Sequence, residues 1–413
     1  MGVVKSSRRD FMKTGVAAGA LSFARGAKLK NGPDEKASLS QRVLRTEFFK
    51  QPVRIAAVDL LKNGKHFLVR VRSHDGVVGL SDAHRRGIES AYPVLINRVA
   101  PFFSGKDARE LESLIEGVYL HESNYKWQGL AFWVSVASVE LAILDMLGKI
   151  AGKPVGELLG GVIRRQVAVY RASEKRSNSA DEEIDYLQKL VSQTGARAIK
   201  FRLGGRMYYD DSTTRRDLAL IEKTRKTFGD AMTIYADANG SYDALMAIRI
   251  GRAMEEHKLG FLEEPVPFDH YDETRAVADT LTIPVAGGEC ESSLRRFRWL
   301  IENRAVQIAQ PDLFYFGGMI RSIKVARMAA AAGIDCTPHI SGYGLGYLHA
   351  LHFASCVSNA GKFQEYKGND GFPVSSDTSS LRSERGIIRI PEGAGLGVTI
   401  DPDFIRKAEL VSA

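Results

Sequence analysis

From Gln166 onward the chain alternates short apolar runs with longer amphipathic stretches, and the apolar runs deliver polar residues at their ends. VAVYRAS and AIKFRLG open the series, and TIYAD, GFLEE, PVAGGE, VQIAQPD, IDCTPH and KFQE continue it. The last six carry Asp237, Glu263, Glu289, Asp312, His339 and Glu365, at successive gaps of 26, 26, 23, 27 and 26 residues. A strand with its crossover helix needs about that length, so the pitch predicts consecutive βα units. Helices are expected in the gaps, at Asp217–Phe228, Ala244–Lys258 and Arg321–Ala332. Eight such units predict an α/β fold with a closed parallel barrel, whose C-terminal strand ends gather these polar residues at one mouth.

Residues 43–160 follow another pattern. Val53–Val58, Phe67–Arg72 and Val77–Ser81 read as strands, with hairpin signals at Asn63-Gly64 and Asp75-Gly76. From Ser90 to Gly161 apolar residues recur at helical spacing. This predicts an α+β domain ahead of a barrel at 161–380, with residues 381–413 returning to cover the first domain. Trp127 and Trp133 are expected to pack its helices.

Composition is that of an ordinary globular protein, 44% hydrophobic and 26% charged. No uninterrupted run of about 18 apolar residues occurs, so no membrane span is expected. Of the net charge of +8, residues 1–36 supply +5, from eight Lys/Arg against three Asp/Glu. The near-neutral remainder gives no reason to expect a nucleic-acid partner. Ser7-Arg8-Arg9-Asp10-Phe11-Met12-Lys13 resembles the twin-arginine export signature, with a mildly apolar stretch at Thr14–Phe23 and small residues at Ala24–Ala27. Residues 1–36 are therefore expected to be a signal peptide and linker, the Tat machinery a partner before maturation, and the mature protein periplasmic. Cys290, Cys336 and Cys356 are too few and too scattered for a disulfide framework.

Asp237, Glu263 and Glu289 come from three successive strands. A lone acidic residue there would more often cap a helix, but three at matched strand ends favour a hard divalent cation with oxygen ligands. Asp312 and His339 end the next two strands; a carboxylate beside an imidazole fixes its tautomer and orientation, as a general base requires. Glu365, from the eighth strand, can hydrogen-bond across the cavity. Lys200 and Arg202 alternate onto one face of the second strand and are placed to hold a carboxylate and offset enolate charge.

These motifs resemble the enolase superfamily in its mandelate racemase-like subgroup, over roughly residues 45–400. Ser138–Gly161 (SVELAILDMLGKIAGKPVGELLGG) resembles the helix that joins capping domain to barrel in that family. YADANG, FLEEP and GGE match its metal-ligand motifs, QPDLFYFGG and TPH carry the Asp/His pair, and FQEY places Glu365 as the electrophilic glutamate. The resemblance implies a modified barrel of the (β/α)7β kind under an N-terminal capping domain. It also implies one Mg²⁺ per site on Asp237, Glu263 and Glu289, with Glu264 just outside, and Asn239 touching substrate. The implied reaction is removal of the proton α to a carboxylate, on a small sugar-acid substrate, in an enzyme that forms homo-oligomers.

The match departs at one position. Many members carry Lys-x-Lys on the second strand, the second lysine being a base; here the triplet is Lys200-Phe201-Arg202. Arginine is a poor base, so His339 becomes the better-supported one. One-base chemistry fits dehydration to a 2-keto-3-deoxy acid better than two-base racemisation. Epimerisation, cycloisomerisation and a barrel that merely binds a sugar acid are the alternatives. Specificity is expected from capping-domain loops at Leu61–His66 and Asp82–Gly87, the latter with His84 and Arg85. The loop Gly204–Asp211, with Tyr208 and Tyr209, and Tyr343 are further candidates.

Overall fold

The period-two runs of the N-terminal region pair as a sheet. Strands β1 (Ile55–Asn63) and β2 (His66–Ser73) form an antiparallel hairpin with Asn63 opposite His66, and β3 (Val78–Asp82) continues antiparallel on β2. The computed structural model describes residues 41–340, 344–368 and 371–412. The twin-arginine-like segment and Tyr343 lie outside the described residues, as does the side chain of Arg85. Leu60, Phe67, Val69 and Val71 are buried from this sheet. They share one hydrophobic core with helices α1 (Arg85–Val94), α2 (Leu111–Leu120) and α3 (Leu130–Ala151).

Helix α3 is the hub of the molecule: every residue from Phe132 to Gly148 is buried. By length and composition it matches a membrane span, yet 89% of its most apolar window is buried inside the protein. At Gly79 of β3 an added Cβ would lie 2.1 Å from the Ala142 carbonyl oxygen, so the bare backbone is what lets strand and helix approach.

The barrel strands are β4 (Gln166–Ala172), β5 (Ala198–Arg202), β6 (Thr233–Asp237), β7 (Leu262–Glu263), β8 (Val285–Gly287), β9 (Ile308–Ala309), β10 (Asp335–Cys336) and β11 (Gln364–Glu365). They pair in sequence order from β4 to β10, all parallel, and β11 pairs with β4 on its other side. A parallel bridge between Cys336 and Ala360 joins β10 to the segment entering β11 and closes the ring. Outside it run α4 (Ala180–Thr194), α5 (Asp211–Phe228), α6 (Ala244–Glu256), α7 (Tyr271–Thr280), α8 (Leu294–Glu302), α9 (Met319–Ala331) and α10 (Gly346–Cys356). The lower interior is a packed floor of Tyr170, Ala198, Tyr235, Phe261, Ala286 and Phe363, with the Tyr235 and Phe261 rings stacked at 3.8 Å. This floor makes the barrel a cup open at the C-terminal strand ends.

Two helices begin earlier than their apolar period predicts. Helix α5 starts at Asp211 because Asp210 and Thr213 form a reciprocal capping box. Helix α9 starts at Met319 because Glu140 of α3 accepts the Met319 and Ile320 N–H groups at 2.9 and 2.8 Å. That cap crosses from one domain to the other. Helix α6 ends at Glu256, two residues before the expected Lys258.

After the barrel, β12 (Val374–Ser375) pairs with β14 (Thr399–Ile400), β13 (Ile387–Arg389) runs antiparallel on β4, and β15 (Glu409–Leu410) pairs with β1, Leu61 opposite Leu410. The tail thus contacts both the barrel and the capping sheet.

Glu140 yields a stability prediction. Burial lifts its carboxyl from 4.5 to about 7, against the two N–H donors that favour the charged form. The folded value lies above the unfolded one, so the folded state holds more protons between those limits. The stabilisation is complete below the unfolded pKa of 4.5 and is lost as pH rises through about 7. Glu140→Gln keeps an acceptor and removes the titration. The stability of wild type relative to this variant is expected to fall by up to about 3 kcal/mol across that window. Denaturant unfolding at several pH values checks this, and a difference independent of pH refutes it.

Candidate active site

Strand register fixes which side chains share the mouth. Lys200 lies opposite Tyr235 and Arg202 opposite Asp237, so the cationic face of β5 abuts the acidic end of β6. Lys200, Asp237, Glu263 and Asp312 are fully buried, and Glu365 and His339 are nearly so.

Asp237, Glu263 and Glu289 each present a carboxylate oxygen, all within 4.8 Å of one another. Glu263 Oε1 is buried with no hydrogen-bond donor, while Asp237 Oδ2 meets the Arg202 guanidinium and Glu289 Oε2 lies 3.2 Å from His339 Nε2. Three carboxylates converging in a buried site are costly unless enough positive charge joins them. Burial, then the charge of Glu264, pushes the Glu289 carboxyl up to about 8, the crowding that a divalent ion would relieve. The oxygen-only donor set fits Mg²⁺. Cys290, which shares a second group with Glu264 and Glu289, is held protonated by burial and by these acids. It offers neither a thiolate ligand nor a nucleophile.

Lys200 Nζ lies 2.7 Å from Glu263 Oε2, 3.6 Å from Glu365 Oε1 and 3.9 Å from Asp237 Oδ2. Burial disfavours its charge, but Glu263 and Glu365 outweigh burial and keep it protonated. The Arg202 guanidinium pairs with Asp237 and donates through Nε to the Ser173 carbonyl at 3.1 Å. Its pKa is raised despite burial, chiefly by Glu365 and Glu263. Neither group is a base in this setting.

His339 Nδ1 lies 2.7 Å from Asp312 Oδ2, while Asp312 Oδ1 accepts the Phe314 and Tyr315 N–H groups at 2.8 and 2.9 Å. The carboxylate is thereby fixed and directs the Nδ1 proton to itself. Nε2 faces the carboxylate cluster, 3.2 Å from Glu289 Oε2 and 3.8 Å from Glu365 Oε2. Burial alone would depress the imidazole; Glu289, Glu365 and Asp312 overcome it and bring the pKa to about 9. Glu365 stays ionised against burial because Lys200, Lys367 and His339 surround it, and it accepts the Ile340 N–H at 3.0 Å. In this arrangement it is an acceptor across the cavity.

Asn239 turns its side chain to Arg176 and to Glu264 Oε2, the latter at 3.2 Å, and its N–H reaches Asp237 Oδ1 at 2.8 Å. Asn239 and Glu264 adopt left-handed φ values of +41° and +40°, a strained backbone for a glutamate at a strand end.

Family models cover both halves of the chain. Residues 40–160 match the mandelate racemase / muconate lactonizing enzyme N-terminal domain, and residues 182–404 match the enolase C-terminal domain-like model. The chain belongs to the mandelate racemase-like branch of the enolase superfamily.

Among its relatives, an arabinonate dehydratase of Saccharolobus solfataricus is 28% identical over 80% of this chain and 87% of its own. A D-galactarolactone cycloisomerase of Agrobacterium fabrum is 26% identical over 83% and 90%. A mandelate racemase/muconate lactonizing protein of Paracoccus denitrificans, solved with magnesium, superposes with a TM-score of 0.79 at 27% identity, covering 87% of this chain and 99% of its own.

Within this superfamily member, the specificity candidates separate. His84 is not a solvated turn residue. It is buried, its Nδ1 accepts the Gly87 N–H at the start of α1, and its Nε2 lies 3.4 Å from the Tyr315 hydroxyl. It therefore ties the capping domain to the loop of Asp312. Tyr208 is 59% exposed and its ring covers Gly205, with no described contact to the carboxylate cluster. The hairpin at Leu61–His66 turns towards the C-terminal tail, His66 packing on Phe372 and Phe404. Trp133 is buried as expected, but Trp127 is half-exposed with Arg98 over its ring.

Sequence reasoning missed Gln310, Lys367 and Arg176. Gln310 donates to Glu263 Oε2 at 3.1 Å, and Lys367 Nζ stands 3.9 Å from Glu365 Oε1. Both lie two residues from a recognised site residue, so strand alternation was a usable signal. Arg176 comes from a loop, where no period points to it.

Proposed function

We propose that this protein removes the proton α to the carboxylate of a sugar acid and expels the β-hydroxyl, giving a 2-keto-3-deoxy acid and water. The observation that carries the reading is the Asp312-held imidazole of His339 facing three converging buried carboxylates, with Arg202, a poor base, on the second strand. Mg²⁺ bound by Asp237, Glu263 and Glu289 would polarise the substrate carboxylate and stabilise charge there.

The residues divide the remaining work. His339 Nε2 takes the α-proton, and the electrons of that C–H bond move into the enediolate. Asp312 stabilises the resulting imidazolium. Lys200 and Arg202 supply positive charge beside the enediolate oxygens. The electron pair then returns to form the double bond between the α and β carbons, the β C–O bond breaks, and the His339 proton leaves with the hydroxyl as water. Tautomerisation of the enol gives the keto acid. The dehydratase relative supports this reading. The cycloisomerase relative, named for a galactarolactone, supports a second one, in which the same single abstraction opens a sugar-acid lactone ring. The twin-arginine-like motif supports export as part of the proposal.

Incubation of the protein and Mg²⁺ with a panel of sugar acids in D₂O tests it. Keto acid, with water lost, is the expected product. Label at the α-carbon without keto acid would favour epimerisation, and keto acid without loss of water would favour ring opening. Calorimetric binding with no exchange across the panel would leave a binding protein.

A further inference from the structure

Arg176 sits in the loop between β4 and α4, outside every motif that marks the site. Its Nη2 meets Asn239 Oδ1 and its Nε donates to the Leu203 carbonyl at 3.3 Å. Both partners are neutral. Burial, then the guanidinium groups of Arg202, Arg206 and Arg216, push its pKa down to about 10, while Glu289 pulls the other way. Two of those neighbours are matched: Arg202 pairs with Asp237, and Arg216 with Asp217 at 2.8 Å. Arg176 and the exposed Arg206 have no carboxylate partner among the described residues. Arg206 is held at φ +64°, its N–H on Ser241 Oγ at 3.0 Å.

A half-buried guanidinium among others, without a counter-ion, raises the free energy of the empty site, and an anion placed there lowers it. A planar guanidinium matches a carboxylate bidentately. The position also suits a second anionic group on the substrate. One residue, Asn239, links Arg176 to the Asp237 carboxylate.

We infer that Arg176, assisted by Arg206, binds a second carboxylate at the far end of the substrate, so that the substrate class is a dicarboxylic sugar acid. This rests on the reading given under Proposed function, in which the first carboxylate lies at the metal site.

The test is calorimetry on the Mg²⁺-loaded protein with a six-carbon aldarate and the matching aldonate. Wild type is expected to bind the aldarate at least about tenfold more tightly, and Arg176→Gln to bring the ratio of the two affinities close to one. Arg206→Gln, at an exposed position, is expected to reduce the ratio roughly threefold and serves if the first variant does not fold. Equal affinities in wild type, or an unchanged ratio in the variants, overturn the inference. Exchange in D₂O separates it from the proposed reaction. An aldarate that binds through Arg176 without α-exchange refutes the reaction alone, and turnover confined to aldonates refutes the inference alone.

Discussion

His339→Asn is expected to abolish keto-acid formation and α-proton exchange while leaving Mg²⁺ affinity in place. Asparagine can still donate an amide N–H to Asp312, which is itself held by the Phe314 and Tyr315 N–H groups, so the loop has no reason to move. Asp237, Glu263 and Glu289 remain, with their oxygens converging as before. What disappears is the imidazole, which becomes free to take up a proton once Mg²⁺ offsets the carboxylates that hold its pKa at about 9; Lys200 and Arg202 are held protonated by their acidic neighbours. Loss of a positioned general base costs roughly 10²–10⁴-fold. The upper end is expected, because His339 serves twice, as base and as donor to the leaving hydroxyl. Deuterium incorporation followed by NMR gives the rate, and a Mg²⁺ titration gives the affinity. Residual turnover near wild type would remove His339 from the reaction; loss of Mg²⁺ binding would show that it supports the metal site instead.

The even spacing of polar residues was enough to find the barrel and its mouth, because strand ends recur at a pitch set by the length of a βα unit. Asp237, Glu263, Glu289, Asp312, His339 and Glu365 could be read for that reason. Contacts that depend on domain docking could not. Glu140 lies in the middle of an apolar helix and caps α9 from another domain. His84 was legible as a specificity candidate in its loop, but not its packing against Tyr315 and the Asp312 loop. Both acquire their meaning only when the capping domain is seated on the barrel. Arg176 was hidden differently, since a loop residue obeys no period. The Lys200-Phe201-Arg202 triplet was informative in both respects: alternation gave the direction of its side chains, and the structure added that Asp237 and Glu263 hold both charges in place.

Lys200→Met is expected to destabilise the metal-free protein by roughly 3–5 kcal/mol, the usual consequence of removing one partner from a buried ion pair. Methionine nearly matches the length of lysine, so little volume is lost and the effect is electrostatic. Lys200 Nζ is the shared counter-ion of Glu263, Glu365 and Asp237, all inaccessible to solvent or nearly so. Without it three carboxylates face one another with Arg202, Lys367 and His339 as remaining cations. Mg²⁺ should recover much of the loss, since a ligand at about 100 times its dissociation constant adds close to 2.7 kcal/mol to the form that binds it. The recovery should be larger in the variant than in wild type, where Lys200 already neutralises part of the charge that attracts the ion. Urea unfolding in chelator and in saturating Mg²⁺ measures both effects. A metal-free variant within about 1 kcal/mol of wild type would mean that these carboxylates shed their charge by taking up protons, and that Lys200 is retained for the substrate rather than for the fold.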